Sequence, residues 1–419
     1  MDGNPAASRD GTAWDVRLLF ATRSIRLFAY GFLSVVLVLY LDSISMPAAS
    51  IGLLLSLILL GDTIISLWMT SLADRFGRRR MLLIGALLML FAAISFALTS
   101  DFYWLLLAAT IGVISPSGNE IGPFISIEQA ALTQLVPDHR RTIVFAWYHL
   151  FGSLATAVGA LVGGWSCELA RQAGATGPEI YRPVIFGYGA LGLLLAVLFN
   201  SLTNNSEARP PKQTGPQQIR WLGLGKSRGV VIRLSALFAL DAFGGGFIIQ
   251  AILAYWFYFR FNIHEASLGE IFFGANILAG ISSLAAAWVA RHLGLINTMV
   301  FTHLPSNILL LLVPLMPNVS LAMACLWLRF SISQMDVPIR QSYVMAVVAP
   351  DERAAAAGVT AIARSLGAAL APVFVARLIA SPQTIDTIFY ICGSLKILYD
   401  VLIYRAFVSL KPPEELPAK

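Results

Sequence analysis

Ionisable side chains stand inside long apolar runs of this chain: Arg26, Asp62, Glu120, Asp241, Arg329, Asp336, Arg364, Lys396 and Asp400. Placing such a group in a hydrocarbon layer costs about 2.5–3.5 kcal/mol on insertion scales, so each must face protein or water, and each is a candidate for chemistry. The chemistry open to them is proton carriage by a buried carboxyl, charge pairing, and recognition of a charged solute. Asp62, Glu120, Asp241 and Asp336 are the proton-coupling candidates. Arg26, Arg329 and Arg364 are the candidates for substrate contact or charge pairing, with Asn119 beside Glu120 in the polar run 115–120. Lys396 and Asp400, spaced i, i+4, are expected to neutralise one another on one helix. His303 lies beside Pro305, and a helix-kink role is expected for that segment.

The elements that must position these groups are membrane helices. The chain of 419 residues is 57% hydrophobic and only 12% charged, with mean hydropathy +0.74, against a charged fraction of about 25% in soluble globular proteins. Apolar runs separated by polar breaks give twelve spans, near 18–41, 51–70, 81–100, 103–126, 142–165, 184–202, 230–257, 268–290, 298–316, 321–347, 354–378 and 385–404. About 20 residues at 1.5 Å rise cross the roughly 30 Å hydrocarbon layer. The net charge of +6 arises from loop asymmetry, and no clustered basic surface for nucleic acid is present in the sequence. Arg75, Arg78, Arg79 and Arg80 crowd the turn after the second span, while the turns on the opposite side, 42–50, 99–102, 317–320 and 380–386, carry no Lys or Arg. Short positive loops are retained in the cytoplasm, so both termini are expected there, in a multi-pass protein of the cytoplasmic membrane. Residues 1–17 read as a tail and not as a cleaved signal peptide. Cys167, Cys325 and Cys392 have no paired spacing and suggest neither a disulfide framework nor a metal site.

The two halves repeat. Phe28-Ala29-Tyr30-Gly31-Phe32 returns as Phe243-Gly244-Gly245-Gly246-Phe247, Leu72-Ala73-Asp74-Arg75-Phe76-Gly77 as Val289-Ala290-Arg291-His292-Leu293-Gly294, and Pro137-Asp138-His139-Arg140 as Pro350-Asp351-Glu352-Arg353. Six spans were therefore duplicated in one orientation. The expected organisation is a tail over 1–17, a six-helix bundle over 18–202, a cytoplasmic linker over 203–228, a second bundle over 229–405 and a tail over 406–419. In this alignment Arg26 and Asp241 occupy equivalent places, which predicts an ion pair between the halves.

The hairpin turn carries a resemblance. Leu72, Ala73, Asp74, Arg75, Gly77, Arg78 and Leu82, with Arg79 standing for a lysine and Thr70 for the first glycine, match the pattern Gly-x-Leu-Ala-Asp-Arg-x-Gly-Arg-Lys-x-x-Leu. With twelve spans and a duplicated unit, the chain resembles the major facilitator superfamily of secondary transporters. The resemblance implies an all-α membrane fold of twelve transmembrane helices in two six-helix bundles, related by a pseudo-twofold axis along the membrane normal, with alternating access to a site near the midplane. It also implies that Asp74, with Arg75, Gly77 and Arg78, latches one conformational state. The fifth-helix glycine pattern of drug exporters is approached by Gly159, Gly163 and Gly164, without its proline.

These readings predict a transporter and not an enzyme, with no cofactor beyond a proton gradient as the coupling source. Its partners would be the bilayer and a small-molecule solute, with no nucleic acid, and it would act as a monomer. Proton-coupled export by an antiporter is the leading expectation. Uptake of an anionic solute through Arg26, Arg329 and Arg364, and a transport-inactive sensor or scaffold, are the alternatives.

Overall fold

The computed structural model describes residues 5–118, 123–137, 140–208 and 224–410. The described residues form sixteen α-helices: α1 Pro5–Ser34, α2 Leu37–Ser43, α3 Ala48–Phe76, α4 Arg78–Leu98, α5 Phe102–Ile111, α6 Pro123–Leu135, α7 Arg141–Gln172, α8 Arg182–Asn200, α9 Arg228–Gly246, α10 Gln250–Phe261, α11 Glu265–Leu293, α12 Leu295–Leu312, α13 Val319–Ser333, α14 Asp336–Val347, α15 Arg353–Ile379 and α16 Thr387–Phe407. Among the described residues nine helical stretches are long and apolar enough to cross a membrane, and ten when the bent pair α1 and α2 is taken as one span. The fourth and tenth sequence spans appear as broken pairs, α5 with α6 and α13 with α14. Large apolar side chains remain exposed along these helices, among them Ile64, Trp68, Leu98 and Trp288. That is the surface expected where lipid replaces water as the solvent.

Among the described residues, spans 1, 4, 7 and 10 are the ones that break, and the fourth and seventh have a local cause. Residues 112–118 between α5 and α6 include Gly112, Pro116 and Gly118, the last with φ of 68°. Glycine tolerates that left-handed backbone, and proline removes a helix hydrogen bond. The Gly244-Gly245-Gly246 run precedes the break between α9 and α10 and lowers helix propensity by about 1 kcal/mol per residue against alanine. Pro305 and Pro372, by contrast, sit inside continuous helices, as neighbouring membrane helices permit.

Contacts divide the chain into two compact units. Unit 1 is Met1–Pro211 with Gln250–Phe273, and unit 2 is Lys212–Ile249 with Gly274–Lys419. The segment 250–273, which the sequence assigns to the second bundle, thus packs on the first. Its anchors are explicit. The Ala251 backbone N–H donates to Pro116 O at 3.0 Å, Gln250 Nε2 donates to Ser34 Oγ at 2.8 Å, and the buried Glu265 carboxylate accepts from Arg171 at 2.5 Å and from Tyr181 Oη at 2.9 Å.

Within unit 1, α1 and α7 approach closely. A Cβ added at Gly31 would lie 2.1 Å from Thr156 O, and one at Gly159 would lie 2.0 Å from Phe28 O. Gly163 meets Phe32 O in the same way. The glycine pattern of the fifth span is therefore a helix-contact stripe, with small residues letting backbones touch. In unit 2 the corresponding helices α9 and α15 repeat the device at Gly246 and Gly367.

Candidate functional site

Among the described residues, two clusters of charged side chains are buried on the spans that carry the sequence candidates, one in each unit. In unit 1, Arg26 of α1 forms a bidentate pair with Glu128 of α6, Nη1 to Oε1 at 2.7 Å and Nη2 to Oε2 at 2.6 Å. Both side chains are fully buried. Thr22 Oγ1 donates to the same carboxylate at 3.1 Å and Tyr148 Oη donates to its other oxygen. The Phe124 ring lies 4.6 Å from the guanidinium carbon. Two planar ions in fork geometry, with further donors on the carboxylate, meet the conditions under which a buried pair offsets its desolvation.

The unit 2 cluster is built differently. Asp241 of α9 is shared by two cations from other helices, Lys396 Nζ of α16 at 2.6 Å and Arg340 Nη1 of α14 at 2.9 Å. Arg340 also lies 3.4 Å from Asp336, four residues earlier on its own helix. His303 of α12 stands between two acids, with Nδ1 2.8 Å from Asp400 and Nε2 3.8 Å from Asp241. Asn307, one turn on, donates from Nδ2 to Asp400 Oδ2 at 2.9 Å. Arg329 of α13 is buried and Arg364 of α15 partly so, and both are within electrostatic reach of Asp241 and Asp336.

The glycine run of α9 has a role here. A Cβ at Gly244 would meet Lys396 Cγ at 3.4 Å, and one at Gly245 would lie 3.6 Å from Lys396 Nζ. The lysine stem thus lies along a face of α9 that carries no side chains, and its ammonium reaches Asp241. This corrects the expectation that Lys396 and Asp400 neutralise each other locally. Asp400 lies against His303 Nδ1 at 2.8 Å and accepts from Asn307 Nδ2 at 2.9 Å instead. His303 is likewise part of the cluster, and α12 runs on through Pro305.

Of the two charges expected to pair between the halves, Arg26 pairs with Glu128 inside unit 1, and Asp241 with Lys396 and Arg340 inside unit 2. Asp62 is buried on α3. Glu120 and Asn119 lie outside the described residues. Glu128, Arg340 and Asn307 were not among the sequence candidates.

At the hairpin turn, Gly77 joins α3 to α4 with φ of 102°, and Gly294 repeats the turn in the other half with φ of 82°. Both positions require the left-handed region that glycine enters freely. Asp74 accepts from Arg78 Nε at 3.0 Å while its carboxylate stays 70% exposed. Arg75 lies over the Phe76 ring instead. The first turn of α4 is capped from outside the motif: Glu207 accepts from the backbone N–H groups of Arg78 at 2.6 Å and Arg79 at 3.2 Å. A carboxylate at a helix N-terminus satisfies orphan donors and complements the helix dipole.

Long apolar helices and a repeated half define a polytopic membrane protein with charges buried inside its spans. The chain belongs to the Major Facilitator Superfamily, whose sequence profile matches residues 19–372. It is 30% identical over 425 residues to the uncharacterized membrane protein YJR124C of Saccharomyces cerevisiae, covering 94% of each chain. It is 25% identical over 163 residues to the quinolone resistance protein NorA of Staphylococcus aureus, covering 39% of this chain and 38% of NorA. Among solved structures it is similar in fold to a bacterial homologue of the human lysosomal transporter Spinster, with TM-score 0.74 at 16% identity over the whole of both chains. The nucleoside transporter NupG gives TM-score 0.72 at 15% identity over 94% of this chain and 99% of NupG. The fold is accordingly that of twelve helices in two six-helix bundles, in a family of transporters and not of enzymes.

Proposed function

We propose that the chain is a secondary active transporter that moves a small organic solute by alternating access and couples that movement to protons at the unit 2 cluster. The observation that carries this reading is the His303 imidazole set between two buried carboxylates. With one proton, on Nδ1, the ring serves Asp400. With a second, on Nε2, it presents a third cation to Asp241, which already holds Lys396 and Arg340. Protonation therefore competes with Lys396 and Arg340 for one acid and loosens the tie between α9, α14 and α16. A proton taken up beside a packed element and biasing it is a recognised form of switch.

Export in exchange for protons is the favoured direction. It is supported by the glycine stripe of α7 and by the partial identity to a quinolone resistance protein. Uptake of an anionic solute is the second reading, favoured by Arg329 and Arg364. The turn at Asp74 acts as the conformational latch in this account, with Arg78 as its local partner. Asp74→Asn is expected to abolish transport while leaving folding and insertion intact.

The test is reconstitution in liposomes with an imposed pH gradient and a panel of solutes, followed by an internal pH dye. Solute flux accompanied by proton movement is expected. Flux with a silent dye would remove the coupling and keep the transporter; binding without flux would favour the sensor.

A further inference from the structure

Beside the turn between α3 and α4, unit 1 holds an open cavity of about 600 Å³. Its walls include Arg75 at the end of α3, Arg79 and Arg80 in the first turn of α4, Asn200 at the end of α8, and the acids Asp74 and Glu207. Both acids are committed elsewhere. Asp74 accepts from Arg78 Nε at 3.0 Å, and Glu207 accepts from the backbone N–H groups of Arg78 and Arg79 at 2.6 and 3.2 Å. The N-terminal donors of α4 are thereby taken, so any attraction for an anion comes from the side chains. Among the described residues no acid pairs with Arg75, Arg79 or Arg80. Arg79 is nonetheless held in place, with Nη2 donating to Asn200 Oδ1 at 2.7 Å and Nη1 to Leu202 O at 3.4 Å. These neutral partners position the guanidinium and take none of its charge. Arg80 is exposed, and Arg75 lies over the Phe76 ring. Three arginines against two engaged acids leave the cavity positively charged.

We propose that this cavity binds a phosphate group, with Arg79 as the fixed contact and the exposed Arg75 and Arg80 closing on it from α3 and α4. Planar guanidinium donors match phosphate oxygens two at a time. A bound phosphate joins the ends of α3, α4 and α8, next to Asp74. Exposed apolar side chains of α3 continue to the cavity at Phe76, among them Ile64, Leu67 and Trp68. A lipid whose tails lie on that surface can place an anionic headgroup among the arginines. A soluble phosphate compound carries the same group and is the other source. The site stands apart from the buried clusters and does not depend on the transporter reading.

The experiment is a binding measurement on the full chain in dodecyl maltoside micelles, which carry no phosphate. Calorimetric titrations use dioctanoyl phosphatidylglycerol, its soluble headgroup glycerophosphoglycerol, and inorganic phosphate, with the melting temperature of the unliganded protein as the folding control. R79Q and R80Q should each weaken binding about fivefold, the scale of one basic residue at an anionic headgroup, and the triple variant R75Q/R79Q/R80Q roughly 100-fold. R79Q also loses the bond to Asn200. Arg80 has no partner among the described residues, so R80Q keeps the test readable if R79Q folds poorly. Arg80→Lys should retain most of the affinity. R291Q removes an exposed arginine near the corresponding turn of the other half and should leave binding unchanged. Arginine-dependent binding of the lipid without binding of its headgroup or of phosphate upholds the site and identifies a lipid as the source. Arginine-dependent binding of the headgroup or of inorganic phosphate upholds it with a soluble source. Absence of binding by all three probes, undiminished binding in the triple variant, or an equal loss in R291Q overturns the proposal.

Discussion

The two buried clusters make opposite use of the same kinds of residue. In unit 1 one arginine meets one glutamate in a bidentate pair, and Thr22 and Tyr148 also donate to the carboxylate. In unit 2 one aspartate is divided between a lysine and an arginine, and a histidine bridges two acids. A saturated pair has one arrangement and resists change. A shared acid divides its oxygens between partners on different helices, so its hold on each depends on the others. The two halves thus hold their buried charges in different arrangements, a closed pair in one and a shared set in the other.

Breaking the staple should give the largest effect. Glu128→Gln leaves Arg26 buried without its counter-charge, and a loss of about 3–5 kcal/mol in stability is expected, read as a fall in melting temperature and in folded yield. Replacing both partners, Arg26→Leu with Glu128→Leu, should recover most of that loss, because an apolar pair avoids the desolvation of both ions. If the double variant is as unstable as the single one, the pair is more than a staple.

Asp241→Asn should lower function as well as stability, since it leaves the buried Lys396 and Arg340 without their shared acid. Two cations lose a shared acid, and solute flux in liposomes is expected to fall roughly 10- to 100-fold, the scale of one lost charged hydrogen bond in a rate. A variant with wild-type flux would show that the sharing is incidental.

The glycines of α9 offer the smallest and sharpest comparison. Gly246→Ala places a Cβ 2.6 Å from Ala368 O and from Ala371 Cβ, an overpacking expected to cost about 1–3 kcal/mol. Gly245→Ala places its Cβ at an ordinary 3.6 Å from Lys396 Nζ and should change stability by less than about 0.5 kcal/mol. Melting curves of the two variants separate a helix contact from a groove for the lysine.

Much of this architecture was legible in the sequence, and the reasons are physical. Hydropathy alone locates the spans, because lipid imposes a length and a polarity on every crossing segment. The repeat located the paired turns at Gly77 and Gly294, and the same alignment placed Arg26 and Asp241 at equivalent positions. What it could not supply was the choice of partner. Lys396 and Asp241 are 155 residues apart and meet only because α9 and α16 pack through a glycine face. Glu128 was passed over because apolar character ends the fourth span at 126, whereas the break before Pro123 carries the helix on to Leu135. Its one signal was its place four residues after Phe124, on the face that packs inward. Arg340 had a similar signal, the i, i+4 spacing from Asp336, within a polar stretch whose helix break hid it.

The account stands most directly on the difference between His303 and Tyr148, each a hydrogen-bonding partner of a buried carboxylate. Liposomes carrying His303→Asn or Tyr148→Phe should be compared for solute exchange and internal pH in the same vesicles. The account predicts that Tyr148→Phe keeps protons and solute moving together, while His303→Asn exchanges solute with no accompanying change in internal pH. Proton movement in His303→Asn that tracks solute as in the wild type would contradict it.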